Sequence, residues 1–310
     1  MTKTSPSLRE RFRGTLLGLA VGDALGAPAQ FLTADQVVER WGVLTEMVGG
    51  GCYGVQPGET TDATEMMLCL AESLVDGTGF RPDDIMRRYL AWFDAQPRDV
   101  SLTVRTVLLA IHSGTAWDVA SRRAYEILGR PTAGNDSLMR CPPVALRFFA
   151  EPEKRRDAAL RESVLTHFDP VAGWACAAFD EVLVAAMAGP LRERLPAIAA
   201  TFAEEDSEVA QTLQGAIDAE PQEIQSSAFV LDSLKTAIWA VLRTQSFEEA
   251  VCMTVNLGDD ADTNGAVTGA LAGAAHGAAA IPPRWTAALL DRERIIRVAD
   301  RLAELADIAI

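Results

Sequence analysis

The feature that most constrains this chain lies near its C-terminal end. Asp259, Asp260 and Asp262 stand immediately before the small-residue stretch GAVTGALAGAAHGA (265–278). A helix built almost wholly from glycine, alanine and small apolar side chains has no polar face to give to water, so it is carried inward. The carboxylates at its start go with it. Carboxylates packed this closely repel one another, and the arrangement points to bound cations. An acidic surface turn would not explain the helix that follows. A calcium loop of the helix–loop–helix type fails because no Glu stands at the later position such a loop requires.

A second cluster repeats the design. Thr61-Asp62-Ala63-Thr64 opens the apolar run MMLCLAESLV, with Glu65 between them. A Thr or Asp cap with Glu shortly after it is a helix-start signal, and taken alone the segment reads as a plain N-cap. Beside the first cluster it reads as the other half of an acidic centre. Oxygen donors with no His or Cys nearby suit Mg²⁺, Mn²⁺ or Ca²⁺ rather than Zn²⁺. Helix N-termini favour carboxylates and would anchor them there.

The rest of the chain reads as helices. Residues 8–26 carry Leu8, Phe12, Leu16, Leu17, Leu19 and Ala20 in helical spacing. Further helices are expected over 34–41, 82–95, 99–112, 153–166, 170–188 and 226–244, with one or two more over 285–308. Val48 to Gly51, with Gly54 and Pro57-Gly58, forms a glycine-rich loop. Residues 131–146 read as a second irregular stretch, and the acidic segment 203–225 as polar surface. Aromatics make up only 6% of the chain while 49% is hydrophobic, so Ala and Leu carry the apolar content and favour helices over strands. No repeat or low-complexity linker interrupts it. The expectation is one compact all-α domain over residues 1–310.

A formal net charge of −15 argues against non-specific nucleic-acid binding, which needs basic surface to replace counterions. Five cysteines, an odd number with no CxxC, argue for a reducing compartment and against a disulfide framework. The start MTKTSPSLRERFRG lacks an apolar signal core. No apolar run reaches the roughly 20 residues needed to cross a bilayer. These features predict a cytoplasmic protein without a membrane span.

Five segments in order carry a family resemblance: RFRGTLLGLAVGDALGAPAQF, GGGCYGVQPGETTDATEMMLCLAESL, AGNDSLMRCPPVAL, LTHFDP and NLGDDADTNGAVTGALAGAAHG. Together, over nearly the whole chain, they resemble the ADP-ribosylglycohydrolase family. The PGxxTD approach, Arg98-Asp99-Val100 and Ser226-Ser227-Ala228-Phe229 are most similar to its dinitrogenase-reductase-activating branch, which removes ADP-ribose from arginine. The resemblance implies an all-α orthogonal helix bundle and two divalent cations, Mg²⁺ or Mn²⁺. By position their ligands are Thr61, Asp62, Asp260, Asp262 and Thr263. It implies catalytic roles for Asp99, near the scissile N-glycosidic bond, and for Asp62 and Asp260. Gly49, Gly50 and Gly51 would bring backbone N–H groups to a pyrophosphate. Asn135, Ser137, Met139 and Arg140 would line the ribose and phosphates, His167 would orient a ligand, and Phe229 would stack on adenine. Asp23 reads as structural. The partner implied is a protein ADP-ribosylated on arginine, or ADP-ribose itself.

Four positions depart from the family pattern. Ala63 stands for the second Asp of TDDT, Gln30 for a Glu, and Asp259 and Asp136 for glycines. Ala63 removes a ligand and puts one metal site in doubt. Asp259, beside Asp260, would restore the lost charge, and Asp136 would bring a negative charge towards an anionic ligand. Three readings stay open: an ADP-ribosyl-arginine hydrolase, an ADP-ribose-binding regulatory protein with reduced or no turnover, and a hydrolase of a related ribosylated small molecule.

Overall fold

Glycine occupies positions 14, 18, 22 and 26, and again 265, 269, 273 and 277. Four residues is close to one helical turn, so each set forms a stripe down one helix face. The computed structural model describes residues 6–129 and 133–307 of the protein. In it the stripes of helix Leu8–Gly26 and helix Ala261–His276 lie antiparallel, backbone against backbone. A Cβ placed on Gly22 would stand 1.9 Å from the carbonyl oxygen of Gly265, and one on Gly18 would stand 2.2 Å from that of Gly269. No side chain fits in this seam. It brings the C-terminal end of the first helix against the start of the other, where the aspartates are.

Around the seam the helices run in chain order. They are α1 (Leu8–Gly26), α2 (Ala34–Trp41), α3 (Asp62–Asp76), α4 (Pro82–Asp94), α5 (Leu102–His112), α6 (Trp117–Ile127), α7 (Asp136–Arg140), α8 (Pro142–Arg147) and α9 (Pro152–Ser163). Then come α10 (Pro170–Ala188), α11 (Leu191–Phe202), α12 (Ser207–Gly215), α13 (Val230–Arg243), α14 (Phe247–Val255), α15 (Ala261–His276), α16 (Pro283–Ala288) and α17 (Arg292–Asp307). The described residues form no strand, only three isolated bridges. One apolar cluster runs from Phe12 of α1 to Ala306 of α17. The fold is all-α, as expected.

Several boundaries differ from the sequence reading, each for a local reason. The helix expected from 99 begins at Leu102, because the Ser101 side chain accepts from the Val104 N–H at 3.3 Å and caps it there. Asp99 is thereby left in the loop. The helix expected from 226 begins at Val230, because residues 228–230 pair with 133–135 instead: Asn135 N–H donates to Ala228 at 3.1 Å and Val230 N–H to Ala133 at 3.0 Å. Within the irregular stretch, Pro142 and Pro143 start α8, as proline can in a first turn. Its first two residues, 131 and 132, lie outside the described residues, as do the N-terminal residues 1–5. The acidic segment 203–225 is not surface alone. It holds α12, capped by Asp206, with Val209 and Leu213 buried. Helices α6, α11 and α14 lie where no element was expected. Among the described residues one helix, α10, is long and apolar enough by composition to cross a bilayer, and 67% of its apolar window is buried inside the protein.

Candidate active site

The site is built at the end of the glycine seam. Thr61 precedes α3, but its side chain does not cap that helix. Asp23 of α1 does so from outside. Its carboxylate accepts from the N–H of Thr61 (3.0 Å) and of Thr64 (3.0 Å), and from both threonine hydroxyls. Burial pushes Asp23 up to about 6 despite these four donors. Asp23 is structural in a specific sense, since it sets where the first turn of α3 presents Asp62.

Asp260 precedes α15 and is held by two amides. Gln30 Nε2 donates to its Oδ1 at 2.8 Å, and Asn135 Nδ2 to its Oδ2 at 2.6 Å. Asp262 lies two residues further on, in the first turn of α15. Its Oδ1 accepts from the Thr263 N–H at 2.6 Å, while its Oδ2 is buried without a hydrogen-bond partner. Burial raises all three carboxylates. Asp62 is raised well above the usual range by burial and then by the charges of Asp99, Asp136 and Asp262. Asp262 is raised likewise by burial and by Asp260, Asp23 and Asp99. Asp260 is raised by burial and pulled back by Gln30 and Asn135. The residues from α3, α15 and the 97–101 loop therefore share one negative field.

Asp99, half-buried, is pushed up to about 6 by burial, against a hydrogen bond from the Tyr53 hydroxyl. Burial raises Asp136 too, but His167 and Ser101 outweigh it and hold that carboxyl below its ordinary value. His167 Nε2 lies 3.0 Å from Asp136 Oδ2, and Nδ1 lies 2.8 Å from the Thr166 hydroxyl. Both ring nitrogens are thus engaged within the protein. Asp136 faces a histidine, which moderates the charge it would bring towards an anion.

The remaining expected residues separate into two groups. Gly49, Gly50 and Gly51 are consecutive left-handed residues at φ 66°, 86° and 69°. The Gly50 N–H donates to Val55 at 2.7 Å, so the loop is a tight hairpin, and a Cβ on Gly51 would stand 2.5 Å from the Ala27 carbonyl oxygen. Phe229 is 40% exposed beside a hollow of about 390 Å³ lined by Leu102, Thr103 and Gly134. Thr263 Oγ1 lies 3.8 Å from Met139 Sδ. Ser137 and Arg140 point into the core. Arg140 pairs with Glu162 at 2.7 Å with both side chains wholly buried, lies over the Tyr89 ring at 4.7 Å, and donates to Thr166 at 2.8 Å. The Ser137 hydroxyl accepts from Ser163 at 2.9 Å.

Asp259 does not restore a buried charge. Its side chain is exposed, and its backbone is in the left-handed region at φ 54°. What it contributes is main chain: Phe31 N–H donates to its carbonyl at 2.7 Å. Ala63 is fully buried in the apolar cluster and offers no donor. The sequence reading missed Tyr53, whose only signal was an aromatic in a glycine-rich loop. It also missed that Gln30 would donate to Asp260, which a Glu could not do when ionised. Larger hollows of about 570 and 610 Å³ lie along α4 and α5 around Asp94 and His112 and contain none of these carboxylates.

The donor chemistry fits a hard dication. Asp262 Oδ2 is an orphaned buried acceptor, and carboxylates raised by one another are the groups that a cation would discharge. Among the described residues no three His, Cys, Asp or Glu side chains make up a ligand set by themselves. The Thr61 and Thr263 hydroxyls, main-chain oxygens or waters would have to complete it.

Comparison with known proteins agrees over the whole chain. A family model described as ADP-ribosylglycohydrolase matches residues 4–309. The chain is 34% identical to the ADP-ribosyl-dinitrogen-reductase glycohydrolase of Rhodospirillum rubrum, covering 98% of this chain and 99% of that protein. It is 31% identical to the ADP-ribosylarginine hydrolase Tri1 of Serratia proteamaculans, over 96% of this chain and 80% of that protein. A solved structure of an ADP-ribosylglycohydrolase-related protein complex superposes with a TM-score of 0.82 at 35% identity, covering 96% of this chain and 98% of that one.

Proposed function

This chain belongs to the ADP-ribosylglycohydrolase family, and from that premise we propose that it hydrolyses the N-glycosidic bond between ADP-ribose and an arginine side chain of a protein. The observation that carries the reading is the shared buried field of Asp62, Asp260 and Asp262 with Asp99 at its edge. Thr61, Asp62, Asp260, Asp262 and Thr263 would hold Mg²⁺ or Mn²⁺, two ions by family analogy, with the second site short of a ligand at Ala63. Bound there, the metal supplies charge stabilisation as the glycosidic bond opens.

The chain's own groups do the rest. Gln30 and Asn135 fix the Asp260 carboxylate, and Asp23 fixes the turn that presents Asp62. Asp99, with a carboxyl near 6, is suited to take a proton at neutral pH and give it back. In the reaction the ribosylated guanidine is present as its protonated cation; a water oxygen bonds to the anomeric carbon while the C–N bond breaks, its electron pair going to the guanidine nitrogen. The proton lost by water passes through Asp99 to that nitrogen, so arginine leaves as a guanidinium and ADP-ribose is released.

A second reading is an ADP-ribose-binding protein with reduced or no turnover. It draws on Ala63, which carries no donor, and on the Gln30 amide, which occupies a lone pair of Asp260. One experiment separates the two. Purified protein is incubated with ADP-ribosylated arginine peptide, with and without Mn²⁺, and free ADP-ribose is measured. The hydrolase reading expects Mn²⁺-dependent release. Binding of ADP-ribose with no release at any Mn²⁺ concentration would leave only the second.

A further inference from the structure

Phe31 is the most exposed aromatic among the described residues, at 66%. It also sits at φ 62°, in the left-handed region that a bulky side chain rarely enters. The conformation is held in place. The Phe31 N–H donates to the Asp259 carbonyl and the Asp259 N–H to the Leu32 carbonyl, both at 2.7 Å, and Asp259 is itself left-handed. Burial does not account for a phenyl ring out in water, and turn chemistry would favour Gly or Asn at such a φ. Strain kept at an exposed aromatic points to use.

Its surroundings say what that use is. Phe31 meets Tyr53 edge to face, with centroids 6.2 Å apart at 66°. The Tyr53 hydroxyl is hydrogen-bonded to Asp99, and burial together with the charges of Asp262 and Asp99 raises that phenol far above its usual range. Arg98 ties the same loop down, donating to the Tyr53 carbonyl at 3.4 Å and to Glu59 Oε1 at 3.1 Å. On the other side Gln30, the chain neighbour of Phe31, donates to Asp260. The two rings therefore stand at the rim, between the buried carboxylates and solvent, with Asp99 beside them. An aromatic face next to a carboxylate, at the mouth of a negative field, suits a flat cation that can both stack and hydrogen-bond. A guanidinium has that shape; an anionic diphosphate does not suit this field.

We propose that Phe31 and Tyr53 form the wall that receives the acceptor guanidinium, Phe31 by stacking and Tyr53 by stacking and by aiming the Asp99 carboxylate. The proposal rests on the arginine-directed reading above. It also makes Phe31 a specificity-determining residue and Tyr53 a positioning one.

Two measurements on the full chain test it. The first is binding of agmatine, a guanidinium without ADP-ribose, followed by calorimetry beside binding of free ADP-ribose. Phe31→Ala should weaken agmatine about tenfold and leave ADP-ribose unchanged, while Phe31→Trp restores agmatine. The second is steady-state hydrolysis of ADP-ribosylated arginine peptide with Mn²⁺. Phe31→Ala should raise KM more than it lowers kcat, and Tyr53→Phe, which keeps the ring, should lower kcat more than it raises KM. Thermal unfolding of each variant checks that it is folded. Equal agmatine affinity in the parent and Phe31→Ala overturns the proposal, and so does a loss of ADP-ribose affinity in its place. If the parent releases no ADP-ribose, the hydrolase reading fails while the agmatine titration still decides the wall.

Discussion

The two helix starts that form the site handle charge in opposite ways. At α3 the donors of the first turn are spent on Asp23, a carboxylate from another helix, and Asp62 is left facing the cluster. At α15 the carboxylates themselves are served: Asp260 by the amides of Gln30 and Asn135, and Asp262 on one oxygen by its neighbour Thr263. The α3 side is braced from behind and carries Ala63, without a carboxylate, beside Asp62. The α15 side is braced from in front and has kept both of its own. The difference teaches that Asp260 is held by side-chain donors of its own, whereas Asp62 is placed through the turn that carries it.

The hardest blow to this pairing is to part the two starts. Gly22→Val would drive a branched side chain into the Gly265 carbonyl, where even a Cβ stands at 1.9 Å. It is expected to cost about 3 kcal/mol or more in urea unfolding and to abolish Mn²⁺ binding with it. Asp23→Ala comes next. It strands four buried donors at the start of α3, a loss of about 2–3 kcal/mol in unfolding. If its stability matches the parent, the brace from behind is not what holds α3.

Ligand changes are smaller in stability and larger in chemistry. Asp262→Ala should cut Mn²⁺ affinity by about 100-fold, measured by calorimetry, with folding retained. Ala63→Asp should tighten Mn²⁺ by about tenfold and lower stability when the metal is chelated, because a further carboxylate then lies buried at that helix start. Mn²⁺ stoichiometry and affinity unchanged by Ala63→Asp would show that position 63 does not face the metal at all.

The smallest effect is in pH. Asp23 and Asp99 are both raised from the ordinary value near 3.8 to about 6, so the folded protein binds protons that the unfolded chain releases. Stability therefore falls as pH rises from about 4 to about 6, the reverse of what a paired carboxylate gives. Asp136, held below its ordinary value, acts in the opposite sense and loses its contribution as pH falls. Thermal unfolding in chelator across this window should drop with rising pH, and a rise would mean that the lowered carboxylates dominate.

Local chemistry was legible in the sequence and distant pairing was not. Helices 8–26, 34–41 and 170–188 follow from apolar spacing and match to the residue. Helix α11 was hidden by Gly189-Pro190 before it and Pro196 inside it, all breaker signals. The α14 pattern spans only 9 residues, and the acidic composition of the surrounding segment 203–225 masked the two buried apolar positions of α12. Thr61, Asp62, Asp260, Asp262 and Thr263 lie at helix starts, which local sequence marks. The hydrogen bonds from Gln30 and Asn135 to Asp260 join residues 230 and 125 positions apart, and no spacing rule reaches that far. Arg140, expected along the ribose and phosphates, is instead held in the core by Glu162, 22 residues on.

The glycine seam has a consequence for how such a molecule can change. Its width is fixed by two main chains in contact, so enlarging or trimming a side chain in the apolar interior does not reset the distance between α1 and α15. The frame works as a ruler that drift in the core cannot recalibrate. Changes near its open end, at positions such as 30, can then be tried one at a time against a constant gap. New ligand sets can be sampled without first renegotiating the architecture.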